Sequence, residues 1–213
     1  MDAKSKNYSR ELLVGLQGLS AFGERERYIP LFFMTTPVWF IALERFDQAD
    51  GDRWTKYIEW SKLPQLKELI SLDEMLCPRI IKELTNEDWN YNVQADCLID
   101  FFTDADYLVK RVAAVQHTQI LGVSKNPTEE ILLNDPRFTE YGFDLIEENR
   151  STSALTNCGG FPDSFSNDEL TEVGLLPSFT RAQDVREKLR RNNPNEPHAF
   201  CDVWKIWRME YNK

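Results

Sequence analysis

The spacing of hydrophobic and polar positions changes several times along the chain, and each change predicts a different element. In "RELLVGLQGLSAF" apolar residues fall at 12, 13, 16 and 19, a helical spacing weakened by Gly15 and Gly18. "VWFIALERF" (38–46) reads as a strand, ended by the turn cluster "DQADGD". "WTKYIEW" (54–60) alternates side to side, which predicts a second strand able to pair with the first as a hairpin. The competing organisation makes residues 1–52 a loosely attached extension whose apolar surface a partner or second subunit covers. In either arrangement residues 53–213 read as a single α+β domain.

From Leu63 the period is helical. Leu63, Leu66, Leu69, Ile70 and Leu72 share a face, Pro78 interrupts, and a helical region over 63–84 is expected. A second helical region, 92–116, carries a break at "TDAD", where Thr103 or Asp104 caps a new helix. Strands follow near 118–124, 140–148 and 152–157, the last two joined by the turn "NRS". Ser166 and Glu169 fit a capping box for a helix over 166–174, and Thr180 and Gln183 fit another for 181–191. The last strand, 202–210, is apolar on both faces and belongs inside its sheet. Helices, strands, helices and a strand in that order predict α+β architecture with a mostly antiparallel sheet.

Charge narrows the partners. The 213 residues carry a formal charge of −10, a field that repels phosphate backbones and argues against nucleic-acid binding. The imbalance is local: residues 126–175 hold eleven acidic side chains against Arg137 and Arg150, whereas residues 180–213 are net basic. The C-terminal aromatics Phe200, Trp204, Trp207 and Tyr211 beside Lys205 and Arg208 make a stacking platform on paper, but tryptophan on an interior strand is core. "PLFFMTTPVWFIAL" (30–43) is too short for a spanning helix, which needs about 20 apolar residues, and Pro37 breaks it. The start of the chain lacks the pattern of a secretory leader, and four scattered cysteines without a CxxC read as free thiols; both point to the cytoplasm.

Candidate chemistry is sparse. Phosphate-loop, dinucleotide, zinc-protease, serine-hydrolase and EF-hand motifs are all missing from the sequence. Cys158, followed by Gly159 and Gly160, is a candidate nucleophile if His198 takes its proton and Asp202 or Asn157 orients the ring. The plainer assignment ends a strand there, with the glycines bending the chain and the sulfur packed inward. His198-x-x-Cys201 is one ligand-like pair, short of the two pairs structural zinc uses, so neither metal nor cofactor is expected. His117 fits a helix C-terminal position better than catalysis. Asp144, Glu147, Glu148 and Asp163 form the acidic candidate binding set; as paired acid and base, Glu147 and Glu148 would face opposite ways on a strand. The expectation is a non-enzymatic protein that binds a basic protein partner, in the manner of an acidic inhibitor or immunity protein. The alternative is a thiol enzyme for acyl transfer or hydrolysis.

Overall fold

A computed structural model of the protein describes residues 36–96, 99–128, 131–148, 151–157 and 161–210. They belong to one compact unit, Thr35–Lys213. Among the described residues, eight strands and three α-helices follow in the order β1 (Trp39–Glu44), β2 (Phe46–Asp47), α1 (Asp52–Ser61), β3 (Glu68–Leu69), β4 (Asn92–Asp96), β5 (Ile99–Phe102), α2 (Ala105–Val112), β6 (Thr118–Lys125), β7 (Phe138–Glu147), α3 (Phe179–Asn192) and β8 (Cys201–Met209). Six strands make an antiparallel sheet in the order β4-β5-β1-β6-β8-β7, and β2 and β3 pair separately. The fold is α+β with an antiparallel sheet, as the sequence pattern predicts.

Interior strands carry apolar side chains on both faces, so each face of the sheet collects its own core. Ile41 and Leu43 of β1 point into a cluster with Leu121, Val123, Leu145 and Val203, closed by Trp54 and Tyr57 of α1 and by Ala182, Val185 and Leu189 of α3. Phe40 and Ala42 point the other way, to Phe102, Ile120 and Trp207, with Ala105, Leu108 and Val112 of α2 above them. Trp204 is 1% exposed, its ring 5.3 Å from Phe101 and 6.4 Å from Trp39. The C-terminal aromatics at 204 and 207 are core. No helix among the described residues is long and apolar enough to cross a membrane.

Five elements differ from the sequence pattern. Residues 54–60 form α1 and make no hairpin with β1, which pairs with β5 and β6. Trp54 and Tyr57 are three apart and bury one helical face, while Trp60 stays half exposed. The 63–84 segment holds no α-helix. Leu69, Ile70, Ser71, Leu72 and Asp73 are consecutive and all buried, which a one-sided helix cannot achieve. An extended path does, with the Ile70 N–H donating to the Val173 carbonyl (3.0 Å). Residues 92–116 divide into β4, β5 and α2, with the Asp104 carboxylate accepting from the Tyr107 N–H (2.9 Å). Residues 152–157 pair with β7 as an isolated Ser153–Ile146 bridge instead of a strand, and 166–174 keeps just a short 3₁₀ turn, Asn167–Glu169. The Ser166 N–H there does donate to the Glu169 carboxylate (2.9 Å). His117 stands before β6 in left-handed backbone (φ 57°), beyond the end of α2. The pattern over residues 1–35 lies outside the described residues.

Candidate functional site

Where β7 ends and β8 begins, antiparallel register sets Glu147 opposite Cys201 and Ile146 opposite Asp202. Side chains alternate along a strand, so Cys201 and Asp202 face opposite ways. Asp202 is taken by the Lys125 ammonium (2.7 Å) and the Asn126 amide (2.7 Å). His198 sits just ahead of β8 on the 3₁₀ turn Pro197–Ala199. Its Nδ1 meets the Glu147 carboxylate, and its ring lies 4.6 Å from that of Phe161. The carboxylate beside the imidazole is therefore Glu147. Asp202 and Asn157 do not serve: the Asn157 amide donates to Asp73 (2.8 Å). Cys158, with Gly159 and Gly160, lies outside the described residues.

The His198–Glu147 pair is largely enclosed, with side chains 18% and 3% exposed. A buried carboxylate on Nδ1 fixes the imidazole tautomer and leaves Nε2 as the nitrogen facing elsewhere. The Cys201 thiol donates to the His198 carbonyl (3.0 Å), and burial, with Glu147 next, pushes its pKa far up. Cys77 is shifted the same way by complete burial. Neither sulfur has the character of a reactive thiolate.

Behind this end of the sheet lies a polar network that the sequence pattern did not reveal. Asp144 accepts from the Ser153 hydroxyl (2.6 Å), the Leu145 N–H (2.8 Å) and the Ser71 hydroxyl (2.6 Å). Asp73 accepts from the N–H groups of Met75 (2.9 Å), Leu76 (3.2 Å) and Ser153 (2.9 Å), besides the Asn157 amide. Both carboxylates are fully buried. Burial outweighs these donors, raising Asp73 and carrying Asp144 to about 6. The visible signal was a serine and an aspartate inside "LISLD", an apolar run that offers them no solvent.

The acidic candidate set is thus divided. Asp144 and Glu147 are interior, whereas Glu148 and Asp163 are exposed. Other acids of the segment meet cations on folding: Asp135 with Arg137 (2.6 Å), Glu140 with Lys205 (2.9 Å), Glu169 with Arg181 (2.5 Å) and Glu172 with Lys67. Among the described residues, the acids of this segment are divided between buried, ion-paired and exposed positions.

Hydrogen bonds step across this end from the 73–76 loop to Phe200. The Glu74 N–H donates to Ser151 (3.0 Å), the Glu147 N–H to Thr152 (3.0 Å) and the Glu148 N–H to Phe200 (2.8 Å). Met75 is 72% exposed and touches the Asn157 amide through its sulfur; Phe200 is 51% exposed. Trp60, equally exposed, packs 6.2 Å from Tyr57, whose hydroxyl donates to the Thr156 carbonyl (3.0 Å). Comparison of the chain with protein-family models, curated proteins and solved structures finds no match.

Proposed function

We propose that this protein binds another protein, one with a basic contact surface, through the end of the sheet that carries Met75, Phe200, Glu148 and Asp163. The observation that carries this reading is the exposure of a methionine and aromatics beside acidic side chains on neighbouring segments. Met, Phe and Trp are enriched at protein contacts, and a charged rim speeds association with an oppositely charged partner. Comparing what co-purifies with the protein from its native cells tests the reading. The unaltered chain, a Met75→Ser/Phe200→Ser variant and a Glu148→Lys/Asp163→Lys variant are run at low and high salt. A basic protein recovered in near-equal amount by the unaltered chain is expected, lost with either variant and weakened by salt. Equal recovery by all three chains, recovery of nothing, or pairing only with a second copy of itself overturns the proposal.

A second reading, a thiol enzyme, draws its support from the Glu147–His198 pair. His198 would accept the thiol proton of a nucleophilic cysteine as sulfur attacks an acyl carbon, then return it to the leaving group. Cys158 enters through the sequence alone, three positions before Phe161. Such a thiol is alkylated by iodoacetamide at about pH 6.5 faster than a peptide cysteine. Peptide mapping is expected to show Cys158 modified ahead of Cys77 and Cys201, and slowed by Glu147→Gln or His198→Ala. Reaction of Cys158 at the peptide rate would remove this reading.

A further inference from the structure

Beside the small β2–β3 sheet, Asp47 at the end of β2 and Asp50 in the turn before α1 meet His117, the residue just ahead of β6. Asp47, Asp50 and His117 each offer a ligand atom, and all three atoms lie within 4.8 Å of one another. They are the one such three-residue group of His, Cys, Asp or Glu among the described residues. The aspartate side chains are 19% and 18% exposed, while the imidazole is 41% exposed.

We propose that Asp47, Asp50 and His117 bind a divalent transition-metal ion of the zinc class. The spacing is the main argument. His117 Nε2 and Asp50 Oδ2 stand 3.5 Å apart, beyond a good hydrogen bond. Two ligands about 2.05 Å from one tetrahedral zinc are separated by about 3.4 Å, close to the gap observed. An imidazole with two carboxylates suits zinc or cobalt, whereas calcium and magnesium prefer all-oxygen sites. Three protein ligands would leave the fourth position to water.

Two guanidinium groups approach, and each has another partner. Arg45 Nε is 3.6 Å from Asp47 Oδ2 while its Nη2 binds Glu68 (2.5 Å). Arg53 Nη1 is 3.7 Å from the other oxygen of Asp50, and its Nη2 donates to the Leu76 carbonyl (2.9 Å). Their charge lowers the cation's affinity, so micromolar rather than tighter binding is expected. Asp50 Oδ2 also accepts from the Asp47 N–H (3.0 Å) and Asp47 Oδ1 from the Ala49 N–H (2.8 Å), a capping box that fixes both side chains on the turn before any ion arrives. A bound ion would tie the turn ahead of α1 to the residue just before β6.

Cobalt(II) reports the site directly, because tetrahedral N/O coordination gives a visible absorption band. Titration of the full chain with cobalt alone is expected to saturate at micromolar concentration and to reverse with zinc. Asp50→Asn and His117→Gly are each expected to weaken binding by more than about tenfold. Glycine suits the backbone at 117 (φ 57°), so circular dichroism of that variant should match the unaltered chain. The absence of a saturable band, or an affinity in both variants unchanged from that of the unaltered chain, overturns the site.

Discussion

Replacing Asp73 with alanine is expected to destabilise the protein by about 3 kcal/mol or more, since four donors lose an acceptor and each orphaned buried donor costs about 1–3 kcal/mol. The Ser153 N–H is the costliest of them, being fully enclosed; those of Met75 and Leu76 lie nearer solvent. Relief from burying a carboxylate, visible in its raised pKa, offsets part of the loss. Asparagine is a weaker remedy than it looks, because its NH₂ would face N–H donors that now meet an oxygen. Urea unfolding with an unchanged slope measures the effect, and a loss below about 1 kcal/mol in the alanine variant would show that water replaces the carboxylate. Asp73 also ties the Met75 loop to Asn157, so the same variant should lose the proposed partner before it unfolds.

Gly142→Ala should be at least as damaging. Gly142 sits at a register shift in β7 with φ 138°, and a β-carbon there would fall 2.5 Å from the Leu176 carbonyl oxygen and 3.2 Å from Leu175. The oxygen is main chain and is held by the Phe143 N–H (2.9 Å), so it cannot swing aside as a side chain would. Alanine must break that pairing or distort the bulge, a cost of about 3 kcal/mol or more. For a chain of this size that corresponds to a fall in Tm of about 6–12 °C. A thermal scan showing a fall of less than about 2 °C would mean that the Leu176 segment peels from β7 without penalty.

These two sites also show what the sequence made legible. Strands β1, β6, β7 and β8 and helix α3 stand out because each has a strong period and clear ends. The 54–60 stretch misleads because Trp54 and Ile58 satisfy an alternating period as well as a helical one. Between 63 and 77 the leucine spacing picks out residues that are buried but implies the wrong backbone. Leucine spacing does not register that Ser71 and Asp73 are buried with the apolar residues around them. At the candidate site His198 was visible from its rarity and Glu147 from its charge. Their meeting depends on β7–β8 register, which no local pattern encodes. Asp47, Asp50 and His117 are likewise joined only by the fold.

The position of β8 has a consequence for how the polypeptide is made. β8 follows β6 and β7 in the chain yet lies between them, so the interior of the sheet stays open until residues 201–209 leave the ribosome. Until then β6 and β7 present unpaired edges and apolar faces, the state in which nascent chains recruit chaperones or join one another. Cutting even a few residues from within Cys201–Met209 would leave that unfinished state permanent.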